Sequence, residues 1–394
     1  MKYKLLASAV NHPDSQHPYR GIFNKRSLEA LAKHDDCSLT AFAPIPYAPP
    51  FGPNSEFFKV PIYEEFPQHS VIRPRFLYWI PKSILYSLTG KSYRRTMEKA
   101  TSETEFEVAH ACHIYPDGYA LMSVAENQQR PFTVMCHGHF LNNYSDLPPK
   151  VEGHVLKVLQ EANHVFCVSD ALTETASEIA NIENISTIPI GATPSNFPIE
   201  KSEALRAKYK IDNQKTIVLF CGQFIQRKGI NEIIEALPGL PKKDVEYIFI
   251  GHGGQMKQEL FEATKRSDSP KSTRILESVE TDELREWFAM ADLFFLPSHA
   301  EGRPTAIYEA MASNTAVLST RIEGVSEQVE EGKTGRLISP GNSEELTTAL
   351  SELTENPSTL REMGQAGKER LIEQGWTWEG FADRVSRKHS DLLQ

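Results

Sequence analysis

Twelve short apolar runs, six in each half of the chain, alternate with stretches whose apolar residues recur at helical spacing. The first six are Tyr3–Val10, Ser38–Ala43, Val108–Cys112, Phe132–Cys136, His164–Val168 and Ile185–Ile188. The second six are Thr216–Cys221, Val245–Ile250, Thr273–Leu276, Leu293–Leu296, Ala316–Ser319 and Arg336–Ile338. Runs apolar at almost every position suit strands buried on both faces, and a helix between two strands returns the chain for parallel pairing. The pattern predicts an α/β chain with doubly wound parallel sheets. It is interrupted by an irregular insert, rich in Pro and aromatics, between the second run and Val108, and it pauses again at Gly191–Ser202 (GATPSNFPIEKS), where Pro, Gly and Ser cluster. A chain of 394 residues exceeds one ordinary core. The expected domains are therefore 1–195 and 196–377, with ligands held in a cleft at the carboxyl ends of the strands.

Composition removes several classes of function. The net charge of −10 argues against a general nucleic-acid binder. No apolar run approaches the roughly 20 residues of a membrane span. The N-terminal MKYKLLASAVNHPD has a short apolar run that turns polar by Asn11, which reads as a first strand and not a signal peptide. The five cysteines are scattered without a CxxC pair, the pattern of buried thiols in a reducing cytoplasm. One segment inverts the charge balance: Ile72–Lys99 carries seven Lys/Arg against one Glu, with five aromatics. Arg73, Arg75, Trp79, Arg94 and Arg95 are expected on a surface that meets anionic lipid headgroups or a lipid-diphosphate acceptor. The competing reading is a pair of surface helices with snorkelling basic stems.

The chemistry is expected in loops that follow strands. In LPSHAEGRPTAIYEAMA (Leu296–Ala312), Glu301 lies in a loop and Glu309 lies one and a half turns into a helix. Pro304 suits the helix start, where a missing N–H costs nothing. The N–H groups of Thr305, Ala306 and Ile307 are then expected to be available to an anion, helped by about half a positive charge from the macrodipole. A phosphate flanked by carboxylates describes a nucleotide-sugar. The alternative is a solvated Glu beside an ordinary turn. In CGQFIQRKGINEI, Gly222 permits a tight turn and Lys228 can reach a phosphate. Gly251, in IFIGHGG, follows the next strand without GxGxxG spacing, which disfavours a dinucleotide cofactor. HACHIYPDG and CHGHF place His113 and His137 at strand ends, where either could orient an acceptor hydroxyl, while His110 reads as core. No HExxH, GxSxG or Walker pattern occurs.

These residues carry a resemblance. FCGQFIQRKGINEIIEAL, IFIGHGG and the long block from Ala291 to Asn342, with its Glu, seven residues, Glu motif at Glu301 and Glu309, are similar to the donor domain of family 4 glycosyltransferases. In the first half, PYRGIFNKRSLEALAKH, HSVIRPRFLYWIPK, YPDG and CHG resemble bacterial exopolysaccharide and teichuronic-acid-type members. The resemblance implies the GT-B fold, two Rossmann-like domains facing each other across a cleft, with the final helix, about 378–394, crossing back onto the first.

It also implies a retaining transfer from a UDP-sugar, or a GDP-sugar, to a glycan or lipid-diphosphate-linked acceptor in cell-surface polysaccharide biosynthesis. The implied location is cytoplasmic, with peripheral contact at the inner membrane face, and no metal or cofactor is implied. Glu309 would hold the ribose, Glu301 the donor sugar and Lys228 the diphosphate. The backbone after Gly302, through Arg303, Pro304 and Thr305, would hold sugar or phosphate. Val279 would lie near the base, and the loop at Gly21 would close onto the diphosphate. Gln223 stands where the family often has Arg, so Arg227 is the expected substitute. Ile190, Phe140 and Cys112 also depart from the family pattern. A weakened nucleotide-sugar-binding protein, or an epimerase or phosphorylase on the same fold, are the alternatives.

Overall fold

The computed structural model describes residues 2–52, 54–78, 82–198, 201–241, 243–251, 253–267, 272–277 and 279–394. Trp79, expected on the membrane surface, lies outside them. The chain divides into two compact units: Met1–Ile190 with Trp378–Gln394, and Gly191–Thr377. No helix among the described residues is long and apolar enough to cross a membrane.

The first unit is built on an eight-stranded sheet. Its order is Ile185–Thr187, His164–Cys167, Phe132–Cys136, Val108–Ala111, Tyr3–Ser8, Cys37–Phe42, Ser70–Ile72 and Tyr63–Glu65. All neighbours run parallel except the last pair, where Tyr63 opposes Ile72 in antiparallel register. The apolar runs are buried at nearly every position, Phe132–Cys136 entirely so, as helices on both faces require. The segment between the second strand and Val108 is more ordered than its Pro-rich sequence suggests. It supplies the last two strands at one side of the sheet, a small parallel pair between Ile45–Pro46 and Arg75–Phe76, and a 19-residue helix, Lys82–Ala100. That single long helix stands where the competing reading put a pair.

The final helix, Trp378–Leu392, belongs to the first unit. A buried chain of hydrogen bonds ties it there. The Tyr3 hydroxyl donates to Ser386 Oγ (3.0 Å) and lies 3.1 Å from His389 Nδ1. His389 Nε2 lies 3.0 Å from Thr133 Oγ1, which lies 2.9 Å from His110 Nδ1. His110 is thus a satisfied core residue, only 2% exposed.

The second unit has a six-stranded, wholly parallel sheet in the order Thr273–Leu276, Val245–Ile250, Thr216–Cys221, Leu293–Leu296, Ala316–Thr320 and Gly335–Ile338. The strand order reverses between Thr216–Cys221 and Leu293–Leu296. In doubly wound sheets that switch point opens a crevice at the strands' carboxyl ends. Phe220, Phe249 and Phe295 pack as rings about 6 Å apart beneath it, and Phe224 of the following loop stacks on Phe220 at 6.1 Å. Burial of Phe224 fixes the path of the loop that leads to Lys228.

Candidate active site

Two loops meet at the switch point of the second unit. After Thr216–Cys221 the chain passes half-buried Gly222 and exposed Gln223, makes a single turn over Gln226–Lys228, and enters the helix Ile230–Ala236. Gly229 joins turn to helix at φ 75°, and a Cβ there would stand 2.0 Å from the Pro297 carbonyl oxygen. Only glycine fits both constraints. This contact brings the loop after Leu293–Leu296 against the first loop. The His299 N–H donates to the Arg227 carbonyl (2.9 Å), and His299 Nε2 lies 3.0 Å from Glu232.

The Glu301 carboxylate sits between the two loops. Lys228 Nζ donates to Oε1, Ser298 donates to the same oxygen (2.7 Å), and Arg227 Nη1 lies 3.3 Å from Oε2 while donating to the Ala300 carbonyl at 2.7 Å. The Glu301 side chain is 8% exposed and that of Lys228 is 16% exposed. Burial alone would raise the Glu301 carboxyl. The Lys228 and Arg227 cations, with hydrogen bonds from Lys228 and Ser298, hold it below its ordinary value. Two cations around one carboxylate leave one unit of positive charge at the crevice.

The helix Thr305–Ala312 begins beside Glu301, with Pro304 as its cap and no side chain capping its first turn. The Ile307 N–H is not available, because it donates to the Pro304 carbonyl (3.2 Å). The amides at issue are therefore those of Thr305 and Ala306. Glu309 is buried on this helix, 7% exposed. Half-buried Gly302 packs against the short helix Glu323–Ser326, because a Cβ on Gly324 would meet its carbonyl oxygen at 1.9 Å. Gly251 is buried at the next strand end, and Val279 is half-buried beyond Thr273–Leu276.

The side chain of Arg303 does not face the crevice, which leaves only its backbone for the expected donor contact. It is 6% exposed, with its guanidinium turned into the unit: Nη1 donates to Glu327 (2.7 Å), Nε donates to the Tyr308 hydroxyl, and Cζ lies 4.9 Å from the centre of the Trp376 ring. It supports the helix start from behind. The sequence does not mark these partners, since Glu327, Tyr308 and Trp376 are far apart along the chain and meet only in the folded unit.

The first unit holds a cavity of about 470 Å³ lined by Arg20, Phe23, Phe57, Tyr86, His113, Tyr115, His137 and Phe140 among others. His113 and His137 come together as expected of strand-end residues, with ring centres 5.3 Å apart. His113 Nε2 lies 2.9 Å from Asn24 Nδ2. Burial brings His113 down to about 4 and His137 well below its usual value, so both are neutral near pH 7. Beneath the cavity, buried Asp117 accepts from Ser8 (2.7 Å), Tyr93 (2.5 Å) and the Val10 N–H (3.0 Å), fixing the loop that follows the first strand. Gly21 starts the helix Ile22–Lys33 at φ 62°, packed against the Asn11 carbonyl. Arg20, beside it, went unnoticed in the sequence. Its Nε is buried without a hydrogen-bond partner, and its Cζ lies 5.2 Å over the Phe57 ring.

The basic segment is corrected in part. Arg73 is wholly buried: it donates to Glu64 (2.9 Å) and to the Pro13 carbonyl (2.5 Å). Arg75 donates to the carbonyls of Phe57 and Val60 (both 2.8 Å), closing the end of the helix Glu56–Lys59. Neither faces a membrane, because each guanidinium is used to satisfy backbone or carboxylate oxygens. Arg94 packs over Tyr119 at 5.3 Å, and Arg95 is exposed.

Against known proteins, residues 201–370 match the family described as glycosyl transferases group 1, and residues 11–195 match glycosyltransferase family 4. The Bacillus subtilis (strain 168) protein TuaC, whose name assigns it to teichuronic acid biosynthesis as a glycosyltransferase, is 26% identical over 357 residues, 88% of each chain. A Mycobacterium tuberculosis (strain ATCC 25618 / H37Rv) GDP-mannose-dependent alpha-(1-6)-phosphatidylinositol monomannoside mannosyltransferase is 26% identical over 263 residues, 64% of this chain and 67% of that one. Among solved structures, sucrose-phosphate synthase from Thermosynechococcus elongatus superposes with a TM-score of 0.83 at 19% identity, covering 100% and 99% of the two chains. Anabaena Alr3699/HepE in complex with UDP and glucose gives 0.74 at 18% identity, covering 99% and 100%. These structures establish the fold, which is that of the GT-B glycosyltransferases.

Proposed function

The chain belongs to the family 4 glycosyltransferases, and on that premise we propose that it is a retaining enzyme using a nucleotide-diphosphate sugar, with UDP preferred to GDP. The acceptor is a glycan or lipid-linked intermediate of cell-surface polysaccharide biosynthesis, worked on at the cytoplasmic face of a membrane. The observation that carries this reading is the Glu301 cluster at the switch point of the second unit: one carboxylate, two cations and an uncapped helix start.

Each part has a task in the transfer. As the sugar leaves, charge builds on the departing diphosphate. Lys228 and the Thr305 and Ala306 amides stabilise that charge, and each such preorganised donor contributes about 3–4 kcal/mol. Glu301 accepts hydrogen bonds from donor-sugar hydroxyls, and Glu309 from the ribose. The neutral histidines His113 and His137 orient the acceptor hydroxyl in the aromatic cavity, where Phe and Tyr faces suit the apolar side of a sugar ring. The leaving phosphate oxygen takes the acceptor proton, so a second carboxylate of the glycosidase kind has no role. The names of the teichuronic-acid and phosphatidylinositol mannoside relatives support a cell-surface product. Membrane contact is supported by exposed apolar side chains near the cavity: Phe51 (73% exposed), Tyr47 (62%), Leu77 (56%) and Phe58 (54%).

The test is a thermal-shift screen with UDP, GDP, ADP and their sugars, followed by turnover with those that bind. A ligand at 100 times its Kd adds about 2.7 kcal/mol, which raises the Tm of a unit this size by about 5–10 °C. A protein that binds a nucleoside diphosphate yet neither transfers nor hydrolyses any donor would contradict the proposal. Sedimentation with anionic vesicles tests the membrane contact: it should weaken when Phe51 and Phe58 are replaced by Ser, and unchanged sedimentation would refute it.

A further inference from the structure

Trp376 stands where three separate parts of the second unit converge. From the donor loop, Arg303 Cζ lies 4.9 Å from its ring centre, and the Tyr308 ring meets it edge-on at 5.5 Å. From the helix Pro357–Glu373, Arg370 Cζ lies at 5.1 Å. The segment after Glu323–Ser326 binds both arginines: Glu327 Oε2 accepts from Arg303, while the carbonyls of Glu327 and Gln328 accept from Arg370 (3.2 and 3.1 Å). Gln328 in turn donates to the Pro304 carbonyl (3.2 Å), at the start of the donor helix. The result is a closed circuit of side chains around one indole, 6% exposed.

The backbone of the same residue touches the chain crossings. The chain passes between units at Ile190/Gly191 and again at Thr377/Trp378. The Trp376 carbonyl accepts from the Ala192 N–H (3.2 Å), and a Cβ on Gly191 would stand 2.1 Å from that oxygen. Both crossings therefore lie within van der Waals reach of Trp376. A residue whose ring is gripped by the donor loop and whose carbonyl holds both crossings has the connections needed to pass a change at one to the other.

We propose that Arg303 and Trp376 are positioning residues that transmit donor occupancy from the helix start at Thr305 to the two crossings. The physical basis is that the Arg303 guanidinium is buried and bonded to Glu327 and Tyr308. Drawing the Thr305 and Ala306 amides toward a diphosphate moves Pro304 and Arg303 with them. The stacked indole follows, since cation–π and ion-pair contacts in a buried site resist separation. Both residues act through side chains buried within the second unit. The inference rests on the reading that the second unit holds the nucleotide.

Hydrogen exchange of the full chain, with UDP and separately GDP added at saturation, tests it. In the wild type, bound nucleotide should slow exchange at the Ala192 amide by about threefold or more. Arg303→Gln keeps a donor toward Glu327 but removes the cation over the ring. It should leave nucleotide affinity within about threefold, abolish the protection at Ala192, and lower kcat more than it raises the donor KM. Arg303→Lys should restore part of the protection, which separates loss of the cation from a general fault in folding. If the wild type binds nucleotide without any change at Ala192, the transmission idea is overturned and the donor site stands. If neither nucleotide binds the wild type, the donor reading falls, and this inference with it. If Arg303→Gln retains full protection, Arg303 has no such role.

Discussion

Glu301→Gln tests the charge arrangement of the crevice because it alters charge while keeping shape. The carboxylate is 8% exposed and faces Lys228, Arg227 and Ser298. Gln keeps an acceptor for Ser298 and Lys228 but cancels the negative charge, so two cations face the crevice unneutralised. A unit charge about 7 Å away at an effective dielectric of about 20 is worth about 2.4 kcal/mol before salt screening. A diphosphate seated on Lys228 lies at about that range, and solvent at the mouth reduces the effect by roughly half. UDP should therefore bind about tenfold more tightly to the variant. The sugar loses charge-assisted hydrogen bonds worth about 1.5–3 kcal/mol, so kcat/KM should fall by roughly ten- to hundredfold. Calorimetric titration with UDP at low and moderate salt, beside initial rates with the preferred donor, reads both numbers. The two parameters must move in opposite directions. If UDP binds more weakly and transfer is unimpaired, Glu301 does not face the sugar, and the assignment of the crevice fails.

Four further outcomes follow from the geometry. Lys228→Ala should lower kcat by roughly 10²–10³, the range for losing one preorganised donor, with the far-UV spectrum unchanged; a loss under tenfold would remove Lys228 from the chemistry. Gly229→Ala places a Cβ 2.0 Å from the Pro297 carbonyl at φ 75°, so it should cost more than about 1 kcal/mol by denaturant titration. Arg73→Met leaves Glu64 beside a buried gap and should destabilise by about 3–5 kcal/mol, whereas exposed Arg95→Ser should change stability by under about 0.5 kcal/mol. For His110, burial brings the folded value down to about 4 from 6.5. Its neutral form contributes stability above pH 6.5 that is lost as the pH falls toward 4, as it does for the more strongly depressed His389. A Tm–pH profile should slope downward across that window, and His389→Phe should make it shallower; a flat profile would refute the argument.

The strands of both sheets were legible because a strand buried on two faces has to be apolar throughout. Thr216–Cys221, Val245–Ile250 and Leu293–Leu296 keep the bounds expected of them. Lys228, Glu301 and the helix at Thr305 were legible because strand ends in such sheets are fixed points. Arg73 and Arg303 were not. An arginine that reaches a buried carboxylate occupies the same local pattern as one that reaches water, and only the tertiary partner decides between them: Glu64 for one, Glu327 for the other. The strands Tyr63–Glu65 and Ser70–Ile72 were hidden for a different reason. They are three residues each, and their exposed or half-buried positions blur the apolar signal that marked the rest.

The bond chain from Tyr3 through His389 to Thr133 and His110 also bears on the order of synthesis. A ribosome that has released residues 1–190 has made every strand of the first sheet, yet the partner of its first tyrosine lies 386 residues along the chain from it. Until then Tyr3 lacks its Ser386 and His389 partners, Thr133 has His110 but not His389, and the face that receives Trp378–Leu392 stays wet. The second unit, whose ends at Gly191 and Thr377 enclose only its own sequence, can close first. In this chain the earliest segment to be translated is the last to be sealed, so a stop codon within the final helix damages the beginning of the protein more than its end.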